Sequence, residues 1–215
     1  MRSAALLLAA TLLAACAVGP VPVDPDSDAP DVRVSAQRPV PVHASYAQAL
    51  MVWRTPEDVN DWIGARFEYD RDRALALSES QRERGPAPAL HPPQAFYDRP
   101  VGVCVDLARF AVDALKQVAP DLRPRYLMIE FDPTRLQGQT LRRHWVAVYE
   151  RADGIYVFAD SKRPGVTAGP YPSVGAFIDD YARYRKRRIV AFRELDDHRR
   201  KVRTPQAATQ GSMSP

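Results

Sequence analysis

The stretch HWVAVYERADGIYVFAD, residues 144–160, decides the fold. On each side of Asp153-Gly154 apolar and polar side chains alternate, which predicts two strands, the first beginning at His144 and the second ending at Asp160. Asp-Gly between two such runs is a strong signal for a tight hairpin turn. Antiparallel pairing about that turn brings the two outer ends together. We therefore expect His144 and Asp160 to emerge at the same end of one hairpin.

Helical patterns come before this hairpin. Thr55, followed by Pro56 and two acidic residues, predicts a capped helix start. One apolar face runs from Cys104 until Pro120, which predicts an amphipathic helix. The other expected elements are strands over 126–131 and 188–192 and a helix capped by Ser173. Helices followed by an antiparallel sheet with one inserted helix predict an α+β domain over residues 45–195.

The two ends of the chain differ in composition from this domain. Residues 16–44 are rich in Pro and Asp without apolar periodicity, which predicts an extended tether. Residues 196–215 are polar, which predicts a disordered tail. The Ala- and Leu-rich run within residues 1–15 is too short to span a bilayer and predicts a secretory signal peptide.

The end of this apolar run suggests a lipid anchor. Cys16 follows Leu13-Ala14-Ala15 and resembles the lipobox of bacterial lipoproteins, in which the Cys becomes the acylated first residue of the mature chain. A plain signal peptide with a chance Cys is the alternative. Ala17, in place of Asp, resembles the pattern of export to the outer membrane. The expectation is a lipid-anchored protein of the cell envelope, at the outer membrane and facing the periplasm.

The composition excludes several classes of protein. With 215 residues, 46% of them hydrophobic and 26% charged, the chain suits one globular domain and is neither collagen-like nor wholly disordered. The net charge of +4 is a weak argument for nucleic acid, so no nucleic-acid partner is expected. Two Cys argue against a disulfide scaffold and exclude a four-Cys zinc site. The basic run within residues 183–188 favours a solvated face over a polyanion site.

Cys104 is the candidate nucleophile. It lies two residues after Gly102 and starts a helix. The unsatisfied N–H groups and partial positive charge of a helix start push a thiol toward the thiolate. The same N–H groups can hold an oxyanion. His144 beside Asp160 would be fixed in one tautomer, so a Cys–His–Asp site forms if the Cys104 helix starts at that end of the hairpin. A small buried core thiol is the alternative for Cys104.

Three motifs carry a family resemblance. GVCVDLA at 102–108, HWV at 144–146 and VFAD at 157–160 resemble, in that order, the transglutaminase-like superfamily of papain-type cysteine enzymes, which includes periplasmic bacterial transglutaminase-like cysteine proteinases. The resemblance covers about residues 53–192 and implies a papain-like core. It implies that Cys104 is the nucleophile, His144 the general base and acid, and Asp160 the residue that orients His144. Gln94, upstream of Cys104, is a candidate for the oxyanion hole, as in papain-type enzymes.

The resemblance implies acyl transfer through a thioester, with hydrolysis of an amide in a protein or a cell-wall peptide as the leading expectation. No cofactor and no metal are expected. Three alternatives remain open: a transglutaminase that passes the acyl group to an amine, a non-catalytic peptide-binding module of the same fold, and a metal site formed by Cys104, His144 and Asp160.

Overall fold

The computed structural model describes residues 28–31, 40–79, 89–136 and 139–198, except for the side chains of 78–79 and 134–142. The predicted signal peptide, the lipidated Cys16 and residues 199–215 of the predicted tail lie outside the described residues, as does most of the predicted tether. No helix in the described part of the chain combines the length and the apolar character that a bilayer span requires.

The described residues form an α+β fold with six α-helices. Thr55 caps the second helix as predicted, because its hydroxyl accepts from Asp58 N while the Asp58 carboxylate accepts from Thr55 N. The helices are α1 (Tyr46–Val52), α2 (Pro56–Arg66), α3 (Arg71–Glu79), α4 (Pro93–Asp98), α5 (Cys104–Val118) and α6 (Val174–Arg185), with a 3-10 turn at Pro120–Leu122. The sequence did not predict α1 and α4, since seven and six residues are too few to show a helical period.

The strands form one five-stranded antiparallel sheet and one small parallel pair. They are β1 (Glu68–Tyr69), β2 (Val101–Gly102), β3 (Arg125–Leu136), β4 (Gln139–Arg151), β5 (Gly154–Phe158), β6 (Ala168–Tyr171) and β7 (Ile189–Leu195). The order in the large sheet is β6-β5-β4-β3-β7, and β1 pairs with β2. The predicted hairpin is present: Ala147 pairs with Phe158, and the same register continued places position 144 opposite 161.

Several strands differ from the expectation. Both β3 and β4 extend beyond the predicted apolar stretches, where the pairing is interrupted by a register shift between Glu130 and Thr134. The edge strand β6 was not predicted, because Gly169-Pro170 is typical of a loop. An edge position tolerates Pro, which has no N–H to donate to a ladder.

Helices cover both faces of the sheet and enclose two apolar cores. Ala147 and Tyr149 of β4 face the larger core, built with α1, α2, α4 and α5, while Val146 and Val148 face the smaller core under α6. Because side chains alternate along a strand, His144 shares the α6 side with Val146 and Val148. The helix α5 packs against β4. The start of α5 and the start of the buried part of β4 are thereby brought to one end of the sheet.

The described residues next to the predicted domain limits make contact with the domain. Asp31 N donates to Lys162 O at 2.9 Å, so the piece Asp28–Asp31 of the predicted tether lies on the domain. At the other end, Lys116 Nζ donates to Asp196 O at 3.0 Å. The limits 45 and 195 therefore leave out short segments that are part of the packed structure.

Candidate active site

Cys104 occupies the first position of α5, as predicted. Val103 precedes it in extended backbone, and the first helical hydrogen bond of α5 runs from Leu107 N to Val103 O at 3.0 Å. The amides of Cys104 and Val105 are thereby outside the helical ladder. The Cys104 thiol is free and 8% exposed. The thiol thus lies next to backbone donors at the positive end of a 15-residue helix.

A buried ion pair fixes the start of this helix. The fully buried Asp106 carboxylate accepts from Arg73 Nε at 2.7 Å and Nη2 at 2.9 Å, and from the backbone N–H groups of His91 at 3.0 Å and Val103 at 3.3 Å. The hydrogen bond to Asp106 raises the pKa of Arg73. A Cβ on Gly102 would lie 3.1 Å from Asp106 Oδ2, so the close approach of the carboxylate depends on that glycine. The sequence indicated Asp106 as a helix-start acid but not Arg73, which is 33 residues away.

His144 and Asp160 meet as the hairpin register predicts. His144 Nε2 lies 3.0 Å from Asp160 Oδ1, and the His144 side chain is fully buried. The Tyr181 ring of α6 stacks on the imidazole with ring centroids 5.9 Å apart. After β5 the chain turns at Ala159, which adopts a left-handed φ of 55°. The ring is therefore held on one edge by a carboxylate and on one face by an aromatic side chain.

Asp160 is held ionised by its donors. Besides His144, its carboxylate accepts from Lys162 N at 3.0 Å, Tyr181 Oη at 3.1 Å and Arg163 Nε at 3.2 Å. Burial alone would raise the pKa of Asp160, but the hydrogen bond and charge of His144 and the charge of Arg163 lower it to about 2. A carboxylate that stays charged in this position stabilises the protonated imidazole.

The other edge of the imidazole faces the thiol. Cys104 Sγ, a ring nitrogen of His144 and a carboxylate oxygen of Asp28 all lie within 4.8 Å of one another. His144 Nδ1 is buried and makes no hydrogen bond of normal geometry with the described residues. The structure thus brings Cys104, His144 and Asp160 together, with Nε2 turned to the acid and Nδ1 left for another partner.

Asp28 is a site residue that the sequence did not indicate. Its Oδ1 lies 3.5 Å from His144 Nδ1 and is bound by Arg185 Nη2 of α6. Burial opposes the charge on His144, but the Asp28 carboxylate and the hydrogen bond to Asp160 hold the pKa of His144 well above 6.5. Burial also opposes the charge on Asp28, yet His144 and Arg185 hold its pKa well below the ordinary value. Nothing in the sequence distinguishes Asp28 from Asp24 and Asp26 of the same Pro-rich stretch.

The basic run corrects one expectation. A solvated face was predicted for residues 183–188, but the Arg185 side chain is only 3% exposed. It donates from Nη1 to Tyr181 Oη at 3.0 Å and lies over the Phe131 ring at 5.0 Å. The prediction was wrong for Arg185 because a helix of 12 residues packed on a sheet turns part of any charge run inward.

Gln94 lies on the exposed side of α4. Its side-chain amide donates to both carboxylate oxygens of Asp98, at 2.9 and 3.1 Å. These are the contacts that the structure gives it, so the role of Gln94 in an oxyanion hole stays a prediction. The backbone amides at the start of α5 are the donors that lie beside the sulfur.

A metal site would use a different set of ligands from the one considered from the sequence. Among the described residues, the possible ligand atoms that lie within 4.8 Å of one another belong to Asp28, Cys104 and His144, and Asp160 is not part of this group. The Asp28 oxygen that faces His144 is already bound by the Arg185 guanidinium. A cation placed there would lie beside a fixed positive charge, which disfavours metal binding.

Comparison of the chain with protein-family models, with curated proteins and with solved structures found no match. The resemblance to the transglutaminase-like superfamily therefore depends on the three motifs and on the residues that they bring together.

Proposed function

We propose that this chain is a cysteine peptidase or amidase of papain-like architecture. Cys104 is the nucleophile, His144 the general acid and base, and Asp160 the residue that orients His144. One observation carries the proposal: a buried imidazole is bound to a carboxylate through Nε2, while its buried Nδ1 makes no hydrogen bond of normal geometry with the described residues and shares its surroundings with the Cys104 thiol and, at 3.5 Å, Asp28 Oδ1. A structural histidine would have both nitrogens satisfied.

The first half of the reaction forms a thioester. The Cys104 thiolate attacks the carbonyl carbon of an amide, and the oxyanion that develops accepts from the amides of Cys104 and Val105. The Asp160 carboxylate on Nε2 stabilises the imidazolium, which is the counter-ion of the thiolate. The C–N bond then breaks, and the imidazolium gives its proton to the leaving nitrogen. The products of this step are an amine, the thioester and a neutral imidazole.

The second half consumes the thioester. The neutral His144 takes a proton from water, whose oxygen attacks the thioester carbonyl. The C–S bond breaks, which releases a carboxylic acid and restores the thiolate and the imidazolium. Asp160 remains charged throughout and keeps the ring in the tautomer that leaves Nδ1 available. The substrate class is an amide of a protein or a cell-wall peptide, and no cofactor takes part.

The experiment that tests this function is cleavage of a synthetic peptide library, read by mass spectrometry. The full chain is expected to release defined fragments, and Cys104→Ala and Cys104→Ser to lower the rate by about 10³-fold or more. Asp121→Ala, on the exposed 3-10 turn, is the matched control and is expected to cleave at the wild-type rate. Hydroxylamine added during turnover should convert the thioester to a hydroxamate. Cleavage that survives in both Cys104 variants would overturn the assignment of the nucleophile.

The two other functions of the same site give distinct results in that assay. A fluorescent primary amine incorporated into the acyl fragment, with Cys104 required, identifies a transglutaminase. Peptides retained by the protein without any cleavage or incorporation identify a binding module, and the peptidase proposal then fails.

We also propose that Cys16 carries lipid and anchors the domain in the cell envelope. The support is the sequence Leu13-Ala14-Ala15-Cys16 behind an apolar run. In a bacterial host, the wild-type chain is expected in the outer-membrane fraction and Cys16→Ala in the soluble fraction. A Cys16→Ala variant that stays with the membrane would contradict the lipid anchor.

A further inference from the structure

A short piece of the predicted tether, Asp28–Asp31, is hydrogen-bonded to residues at the candidate active site. The Asp28 carbonyl accepts from Ser161 Oγ at 2.8 Å, directly after Asp160 in the chain. Three residues later, Asp31 accepts from Tyr184 Oη at 3.2 Å, and its carboxylate pairs with Lys162. Contacts at both ends of Asp28–Asp31 therefore fix where the Asp28 side chain points.

The Asp28 side chain ends at a buried guanidinium beside the thiol. Arg185 Nη2 binds Asp28 Oδ1, and Nη1 is held by Tyr181 Oη, which itself donates to Asp160. Arg185 is thus oriented by the same tyrosine that packs on His144. Because a guanidinium matches the geometry of a carboxylate, a buried and oriented arginine is a built anion site.

We propose that Arg185 forms a carboxylate-binding subsite beside Cys104, that the chain fills this subsite with its own Asp28, and that an acidic group of the substrate takes the same place. The proposal rests on the proposed function and adds the substrate class: amides that carry a carboxylate close to the scissile bond. The carboxylate is an acidic side chain or a free chain terminus.

Asp28 and a substrate cannot occupy the Arg185 subsite at the same time. Its carboxylate is within 4.8 Å of Cys104 Sγ, where groups next to a scissile carbonyl must lie. It also presents a negative charge to the sulfur and supplies a counter-ion to His144 in place of the thiolate. Docked Asp28 therefore holds the site closed, and its departure leaves the Arg185 guanidinium facing the place of the carboxylate.

Alkylation of Cys104 tests the subsite without any substrate. Iodoacetate and iodoacetamide differ in one respect that matters here, since the first carries a carboxylate and the second a neutral amide. The reagents are applied to the full chain at neutral pH and equal ionic strength, and the modified Cys104 peptide is quantified by mass spectrometry, so that Cys16 does not contribute. The variants are Asp28→Ala, Asp28→Ala/Arg185→Gln, and Asp121→Ala, on the exposed 3-10 turn, as the control with the same change in charge.

The ratio of the iodoacetate rate to the iodoacetamide rate is expected to be about tenfold or more higher in Asp28→Ala than in wild type. One charge-assisted hydrogen bond between the reagent and Arg185 accounts for a change of this size. The double variant is expected to lose that rise and keep its iodoacetamide rate, which also reports that the site is folded. Asp121→Ala is expected to match wild type. If the double variant fails to fold, a second measurement replaces it: glutarate should protect Cys104 from alkylation in Asp28→Ala but not in wild type.

Two results would overturn the proposal. One is an unchanged ratio in Asp28→Ala, whether both rates stay constant or rise together. The other is a raised ratio that persists in a folded double variant, because the selectivity would then come from another cation. Expected labelling together with an uncleaved peptide library supports the subsite and removes the peptidase function, so the two proposals fail separately.

Discussion

Two buried carboxylates flank the start of α5, and they differ in what their partners can do. Within the described residues, Asp106 and Asp160 each accept four hydrogen bonds. The donors of Asp106 are an arginine fork and two backbone amides, and Arg73 Nη2 also donates to Ala89 O at 2.7 Å. One donor of Asp160 is His144, whose second nitrogen is buried without a hydrogen bond among the described residues.

The difference separates a structural acid from an acid of the candidate site. Both are buried and both are satisfied, so neither burial nor hydrogen bonding distinguishes them. The distinguishing feature is the partner: His144, which binds Asp160, titrates, and its other nitrogen lies 3.5 Å from Asp28 Oδ1, within a group that includes the Cys104 thiol. The matched substitution, Asp to Asn, tests whether Asp106 serves stability alone while Asp160 also serves reactivity.

Asp160→Asn is expected to have the largest effect, on turnover. Asn can donate to Nε2, which would leave the proton on the wrong nitrogen, and the imidazolium loses its counter-ion. We expect cleavage of peptides found in the library assay to slow by about 10³-fold or more. The thermal midpoint is also expected to fall, because the ionised carboxylate stabilises the folded protein above pH 3.8, so turnover is compared per folded molecule. A variant with wild-type turnover would contradict the role of Asp160.

Asp106→Asn is expected to lower stability without slowing the turnover of the folded protein. The Asn side chain has a single oxygen and cannot accept from both Arg73 nitrogens. The largely buried guanidinium would therefore lose one of its two hydrogen bonds to this side chain. We expect the free energy of unfolding by urea to fall by about 3 kcal/mol, while the turnover of the folded fraction stays near wild type. Asp121→Ala, an exposed acid, should change it by less than about 0.5 kcal/mol. A loss of turnover without a loss of stability would erase the distinction between the two carboxylates.

The dependence of stability on pH tests the interaction between His144 and Asp160. The folded-state pKa of His144 is raised above 6.5, so its stabilisation is fully present below pH 6.5 and is lost as pH rises through the folded-state pKa. The pKa of Asp160 is lowered from 3.8 to about 2, so its stabilisation is present above pH 3.8 and is lost as pH falls through about 2. Both contributions are present together between pH 3.8 and 6.5.

The measurement is the difference in unfolding free energy between wild type and His144→Gln. Above pH 6.5 this difference should shrink by up to about 1.4 kcal/mol per pH unit, until the imidazole in the folded protein has lost its proton. A difference that stays flat or grows with pH would show that His144 is neutral in the folded protein.

A glycine pair gives the smallest expected effect. A Cβ at position 102 would lie 3.0 Å from Phe96 Cε2 and 3.1 Å from Asp106 Oδ2, so Gly102→Ala should lower the unfolding free energy by about 1 kcal/mol or more. Gly175 of α6 has only Ser173 Oγ at 3.6 Å near such a Cβ, so Gly175→Ala should raise stability by up to about 1 kcal/mol. Equal effects at the two positions in urea denaturation would mean that Gly102 is not needed for the approach of Asp106.

The parts of the site that could be predicted are those set by local pattern. The Asp153-Gly154 turn fixes the register of β4 and β5, and the register places His144 and Asp160 together. The apolar periodicity that begins at Cys104, two residues after Gly102, marks a helix that begins at the thiol. These are relations over a few residues or across one tight turn, and steric rules determine them without the rest of the chain.

Arg73, Asp28 and Arg185 could not be predicted in the same way. Arg73 reaches Asp106 across 33 residues, and Asp28 reaches Arg185 across 157. Charged residues in a Pro-rich stretch or a basic run have no local pattern that distinguishes a buried partner from a solvated one. Their partners follow from how the segments pack.

The sequence by itself determined the order of the reacting groups and which of them share a hairpin. Only the tertiary structure decided which edge of the imidazole faces the sulfur, and that Asp28 lies between the thiol and a buried arginine. The physical reason is the range of the forces: turn geometry and strand alternation act between neighbours. The pairing of buried charges is decided when distant segments exclude water from the same place.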